Sequence, residues 1–451
     1  MLNVLIGLIG LGLVVFVHEL GHLLAAKSMG VTVEAFSVGW GRKIWSVTRG
    51  GTEYRISWLP LGGYCKMQGE HALLRAWQDR SSTINVEKGD FHAARPWQRI
   101  LVLSAGPMVN FFFAVVVLAF IAMIGYSTYT FPNRIVLASD YLPDTEAPAA
   151  AAGLRTGDHI TTIDGREISS FRDLQISISR SAQRSLEITY QRNGETGSTT
   201  IVPALDLDTG AGRIGVFPWV DPVVASVSPG SPAEIAGIAR GDRITAVAGV
   251  PVDHTIALED EMRRVRRSTI ALTTERDGIQ QEQTIVPGET EQGNLYLGIT
   301  WKTLEVRSPA YGPVTGLAEG LRQSVQTLVL TVRGIGLLFS GVDLNQALMG
   351  PARITDRVGE VASEGFRSGI GTGLLSFFNF LSLISITLFF MNLLPIPALD
   401  GGQIVLTLFE ILTRRPLHPR LVYRYQVIGN VIILGLLFFA VFNDILFFAR
   451  S

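Results

Sequence analysis

The sequence predicts a multi-pass helical membrane protein of four spans, with a membrane-associated β-hairpin and two copies of a soluble α+β module inserted midway. Three observations carry this. Of 451 residues, 47% are hydrophobic and only 17% charged, a balance that calls for membrane segments. Apolar runs able to cross a bilayer as helices occupy 4–26, 101–126 and 373–394, and a fourth has its core at 427–442. Between the second and third runs the composition turns soluble and repeats itself at an offset of 84 residues. The net charge of −1, with no basic stripe, excludes a nucleic-acid partner. Cys65 is the only cysteine, which excludes a disulfide framework and a cysteine metal site and leaves it as a small packing residue.

Residues 1–26 lack the basic start and the small-residue cleavage site of a signal peptide, and 4–26 read as a first span of about 34 Å. The run ends in His18-Glu19-Leu20-Gly21-His22. Two histidines four apart stand on one helix face, one turn apart, and can grip a single zinc ion. Glu19 is then in reach of a water held at that ion and can take its proton. Ionisable groups inside a span are costly, so a functional reading is favoured over a packing one.

Residues 27–99 turn polar and strand-like. Thr52–Trp58 alternates with period two, and Leu59-Pro60-Leu61-Gly62-Gly63-Tyr64 makes an apolar turn. This is either an ordinary surface hairpin or one dipping beside the ion, whose 52–58 edge (Tyr54, Ile56, Trp58) would pair with an unwound substrate. Residues 71–92 read as a mobile polar loop. The second span, 100–126, carries Gly106-Pro107 and Asn110 near its start, and a buried amide there needs partners; helix packing is one role for Asn110. The repeat aligns Ala152–Asp158 with Ala236–Asp242 and Thr200–Pro203 with Thr284–Pro287, giving modules at 127–217 and 218–302. Each starts a helix at a proline (Pro148, Pro232) and closes it at a glycine. Residues 303–372 are expected to form amphipathic helices lying on the membrane surface. A third span with its following motif covers 373–402, a loop 403–426, and the fourth span 427–448.

Catalytic zinc takes three protein ligands. Asp400 is the strongest distant candidate, following Pro395 and Pro397 in Asn392-Leu-Leu-Pro-Ile-Pro-Ala-Leu-Asp400-Gly-Gly. Glu410 and Asp444 fall at helix ends, where a solvated charge is expected. Residues 27–99 hold 11 basic and 6 acidic residues, 411–426 four arginines and no acid, and 127–372 hold 22 basic and 29 acidic. The basic segments are therefore assigned to the cytoplasm and the modules to the outside. A fifth span at Val325–Leu338 would put Asp400 on the wrong face from the histidines. Four spans let the ligands meet.

These motifs resemble the site-2 protease family of intramembrane zinc metalloproteases, in its bacterial form with two PDZ domains, across essentially the whole chain. The resemblance rests on the HExxH span, Pro-Leu-Gly-Gly-Tyr at 60–64, Gly-Pro-x-x-Asn at 106–110, the tandem modules and Asn392–Gly402. It implies a four-span α-helical metalloprotease core with a membrane-associated β-hairpin near 52–67 and two extracytoplasmic PDZ domains. It also implies one Zn²⁺ on His18, His22 and Asp400, with Glu19 as acid and base. The substrate-contacting set is Asn392, Tyr54, Ile56, Trp58, Gly62, Gly63 and Asn110. The partners implied are the lipid bilayer, single-span membrane proteins already trimmed outside, such as an anti-sigma factor, and peptide C-termini at the PDZ domains. The location implied is the bacterial inner membrane. Clearance of signal-peptide remnants, a membrane-anchored PDZ scaffold without proteolysis, and a transporter are the alternatives. The transporter is disfavoured because only the soluble part repeats.

Overall fold

The computed structural model describes residues 2–142, 147–207, 210–265, 269–289, 295–337, 350–367 and 369–450. The chain divides into two compact units, Met1–Tyr126 with Pro309–Ser451, and Ser127–Ser308. Parts of the expected modules (143–146, 208–209, 266–268, 290–294) and of the expected surface-helix region (338–349, 368) lie outside the described residues.

In the first unit, four helices are long and apolar enough to cross a membrane: Val4–Ser28, Pro96–Ile124, Ile370–Leu393 and Pro419–Leu446. They belong to α1 (Leu2–Ser28), α3 (Pro96–Ile124), α6 (Ile370–Leu393) and α8 (Pro419–Arg450). Between them lie β1 (Val33–Arg49), β2 (Thr52–Met67), α2 (Glu70–Gln78), α4 (Pro313–Leu337), α5 (Pro351–Arg367) and α7 (Asp400–Thr413). Helix α1 closes with Lys27 in its last turn, favourable to the helix dipole, and Gly30 follows at φ 77°, a conformation glycine adopts without a Cβ penalty. Helix α3 begins at Pro96, whose missing N–H costs nothing in a first turn.

Several sequence expectations change here. The 71–92 stretch is not all loop, because α2 occupies its start and Trp77 stacks on Tyr423 of α8 with ring centroids 4.3 Å apart. Helix α4, expected as an amphipathic surface helix, packs antiparallel along the Ala114–Met123 part of α3. Tyr311 N–H donates to the Ala122 carbonyl, and Leu328 packs with Ala114 and Leu118. The reason is a row of small residues, Gly316, Gly320 and Ser324, that lets the two backbones approach. A Cβ on Gly320 would stand 2.5 Å from the Val115 carbonyl oxygen. Neither Glu410 nor Asp444 is a solvated helix-end charge. Asp444 is 3% exposed and accepts from the backbone N–H groups of Gly350, Ala352 and Arg353 and from Arg353 Nε at 2.9 Å. It thereby caps α5, whose first-turn donors would otherwise be orphaned. Glu410 pairs with Arg99 and accepts from the Leu417 N–H.

The second unit holds the two modules. In each, a four-stranded antiparallel sheet runs in one order: Arg166–Glu167, His159–Ile163, Leu186–Arg192, Glu195–Ile201, and Val250–Pro251, Arg243–Val247, Ile270–Arg276, Ile279–Ile285. One helix packs on each sheet, Phe171–Ser179 and Thr255–Val265. The cores superpose in sequence: Ile160, Leu174, Leu186, Ile188 and Ile201 of the first correspond to Ile244, Leu258, Ile270, Leu272 and Ile285 of the second. The repeated Gly-Asp also has a structural reason. Asp158 and Asp242, 1% and 0% exposed, each receive Nε and Nη2 of an arginine, Arg192 or Arg276, at 2.6–2.8 Å. Both arginines also donate to a helix-terminal glycine carbonyl, Gly153 or Gly237.

The Arg276 hydrogen bonds hold the Asp242 carboxyl below the ordinary carboxylate range. A depressed acid stabilises the fold above its unfolded pKa and loses that contribution as pH falls through the folded one. Asp242→Ala is expected to cost the second module about 2 kcal/mol at neutral pH, with a smaller difference from wild type below about pH 4. Amide hydrogen exchange of strands 243–247 and 270–276 at the two pH values measures this.

Candidate metal centre

The centre lies wholly within the first unit and is built from two helices that are distant in sequence. His18 and His22 project from one face of α1 and are buried. Their Nε2 atoms are 3.2 Å apart, and each is 3.4 Å from Asp400 Oδ2. The three donors form a nearly equilateral triangle. A tetrahedral ion with ligand bonds of about 2.0–2.1 Å sets its donors about 3.3–3.4 Å apart, so two imidazoles and a carboxylate at this spacing fit zinc with a fourth position open. Among the described residues this is the one group of three such side chains that can hold a metal. His22 Nδ1 donates to the Val102 carbonyl at 2.9 Å, which leaves the Nε2 lone pair for the ion.

Close backbone packing makes the site possible. Gly21 of α1 faces Gly106 of α3, and a Cβ on Gly21 would stand 2.5 Å from the Ala105 carbonyl oxygen. A Cβ on Gly106 would stand 2.2 Å from His22 Nε2 itself. At the other ligand, the chain leaves α6 and turns through Pro395, Pro397 and Ala398, the last at φ 74°, before α7 begins at Asp400. Gly401 and Gly402 let this loop fold back on the first turn of α7: their Cβ atoms would meet the Leu393 and Ile396 carbonyl oxygens at 2.3 and 2.2 Å. The far end of α7 is tied to α3 by the Arg99–Glu410 pair. Burial, with Arg99 beside it, pushes the His92 ring there down to about 4, keeping it neutral.

Glu19 is half-buried beside the ligands, its carboxylate hydrogen-bonded by the Cys65 backbone amide. Gly63 lies against it, since a Cβ there would be 3.2 Å from Glu19 Cγ. Helix α1 thus presents its carboxylate to the last stretch of β2.

The expected 52–58 edge is interior to the sheet. Tyr54 pairs with both Phe36 and Val47, and Ile56 with both Val38 and Trp45. The strands bend at Gly39–Gly41 and Leu59–Gly62, so each long strand contributes twice, and the edge beside Glu19 is formed by 63–67. Gly63, Cys65 and Met67 pair only with Val38, Phe36 and Val33 among the described residues. Trp40 Nε1 donates to the Gly63 carbonyl at 3.1 Å and covers Gly62, while Trp58 is exposed. Of the other expected contacts, Asn392 is half-buried near the end of α6, eight residues before Asp400, and its carboxamide makes no hydrogen bond among the described residues. Asn110 is fully buried, its carboxamide facing His18. Sequence reading missed Val102 and Arg99 because a backbone acceptor and a helix clamp leave no motif. Their spacing with Gly106 and Asn110 on one face of α3 was the available signal.

Residues 6–436 match the model of peptidase family M50. The "Putative zinc metalloprotease" of Treponema pallidum is 40% identical over 99% of both chains. Protease RseP of Yersinia pestis is 30% identical and regulator of sigma-E protease RseP of Escherichia coli 29% identical, each over 97% of both chains. A PDZ domain of an SdrC-like protein from Listeria monocytogenes aligns with 20% of this chain and 90% of its own, at 25% identity and a TM-score of 0.17.

Gly106→Ala is expected to push the His22 ring off the triangle. A displacement near 1 Å costs about 100-fold in activity, and zinc content after dialysis against a weak chelator should fall with it. Retention of full zinc by the variant would show that α1 and α3 can separate without harm.

Proposed function

This chain belongs to peptidase family M50, the site-2 proteases, and is a zinc metalloprotease; we propose that it cleaves transmembrane segments of single-span proteins at the His18–His22–Asp400 centre, with one zinc per chain. The observation that carries this reading is the donor triangle inside a helix bundle, with Glu19 and the outer strand 63–67 beside it. When bound there, zinc supplies Lewis acidity to the scissile carbonyl and brings an attacking water within range of a carboxylate base. Glu19, oriented by the Cys65 amide, takes the proton from that water and returns it to the leaving amine. The Asn392 carboxamide is free to donate to the charge that develops on the scissile carbonyl oxygen. A helical substrate has no accessible scissile bond, so an unwound segment pairs with the outer 63–67 strand by strand addition, displacing Trp40 from the Gly63 carbonyl while the Cys65 N–H stays with Glu19.

The relatives named RseP support envelope-stress signalling as the setting, with a trimmed anti-sigma factor or a signal-peptide remnant as substrate. The charge asymmetry of the loops supports a bacterial inner-membrane location, with 27–99 cytoplasmic and the 127–308 modules outside. In that arrangement the modules, read as PDZ domains, exclude substrates that still carry a large external domain.

Purified wild type is expected to cut a single-span substrate, to stop on chelation and to recover with zinc, while Glu19→Gln stays inactive throughout. Equal cutting by both proteins would remove this assignment. Strand addition is tested with the chain's single thiol, Cys65. In the Glu19→Gln background, cysteines scanned along a substrate should form disulfides with Cys65 at every second position. Spacing of three or four residues would mean the substrate stays helical and would sink the pairing.

A further inference from the structure

Both zinc-ligating imidazoles meet α3 through Nδ1. Coordination through Nε2 requires that Nδ1 carry the proton, and a buried N–H requires an acceptor. His22 has one in the Val102 carbonyl at 2.9 Å. His18 Nδ1 faces a single polar group among the described residues, the Asn110 carboxamide, whose Nδ2 lies 3.4 Å away. Asn110 is 0% exposed, and its Oδ1 is buried with no hydrogen-bond partner. The orphaned atom is an acceptor, and an acceptor is what His18 Nδ1–H needs. A half-turn of the carboxamide exchanges two atoms of nearly equal size and gives the oxygen its donor. Asn110 and Val102 sit on the same side of α3, the side that Gly106 opens to His22.

We propose that Asn110 is a positioning residue for the metal centre, its amide oxygen accepting from His18 Nδ1–H and so fixing His18 in the tautomer and ring orientation that present Nε2. This rests on His18 being a zinc ligand. It gives Asn110 a role distinct from substrate contact and from helix packing, because only the acceptor atom matters and not the shape of the side chain.

The full-length protein in detergent is titrated with zinc against a chromogenic chelator, for wild type, Asn110→Asp and Asn110→Leu. Aspartate keeps the acceptor and leucine keeps the size without it. The leucine variant should bind zinc about 10–100-fold more weakly, while aspartate stays within a few-fold of wild type. Wild-type affinity in the leucine variant, or an equal loss in both, overturns the proposal. A second measurement stands without any variant. In cobalt-loaded wild type, proton NMR should show two slowly exchanging imidazole N–H signals, one per histidine. A single signal would mean that His18 Nδ1–H is not held. Failure of wild type and of His18→Ala to differ in zinc affinity would instead remove the ligand assignment itself.

Discussion

Two imidazoles and a carboxylate held 3.2–3.4 Å apart inside a helix bundle are the constraint on which the rest of the first unit depends. Such a cluster is tolerated at membrane depth only if its charges face each other or an ion and its remaining polar atoms find partners. Helix α3 meets that demand along one face. Arg99 anchors α7, the Val102 carbonyl accepts from His22 Nδ1–H, Gly106 makes room for the ring, and Asn110 stands against His18. The helix is therefore a reference line on which His18, His22 and Asp400 are registered, although it contributes none of them. Pro107, directly after Gly106, removes one N–H from the helix ladder.

The third ligand arrives by a different route from the first two. His18 and His22 need only helical periodicity, whereas Asp400 needs a non-helical loop that returns on itself at depth. The loop's carbonyls press against Gly401 and Gly402, and Pro397 presses against Gly429 of α8, so three glycines provide the close approach that any side chain would block. The chemistry also depends on the sheet, which brings the 63–67 edge to Glu19. Tyr54 and Ile56 are paired on both sides, which makes theirs an interior strand of the sheet and 63–67 an outer one.

The second unit solves the problem of a buried charge in the ordinary way of a water-soluble fold. Asp158 and Asp242 are more buried than His18, His22 or Asp400, yet each is matched by a forked arginine and a backbone amide. The two pairs follow the same offset as the hydrophobic cores, so duplication preserved the energetic centre of the module along with its outline. Where the modules differ is in their surroundings: His254 caps Thr255–Val265 by accepting from the Ala257 N–H and bonds Tyr141 of the first module.

The sequence by itself determined whatever is periodic or covalently local. The four spans follow from hydropathy, the module duplication from self-similarity, and the His18–His22 pair from a four-residue spacing on one helix. Asp400 was legible because a carboxylate after two prolines at membrane depth has few other uses. Tertiary structure alone decided which strand is the outer one, since the bends at Gly39–Gly41 and Leu59–Gly62 fold each strand onto two partners, and alternation looks the same in an edge and in an interior strand. It also decided that α4 lies along α3, that Glu410 and Asp444 have buried partners, and that Asn110 faces His18. In each case the deciding contact joins residues tens to hundreds of positions apart, and its energy comes from desolvation and close packing that no local pattern records.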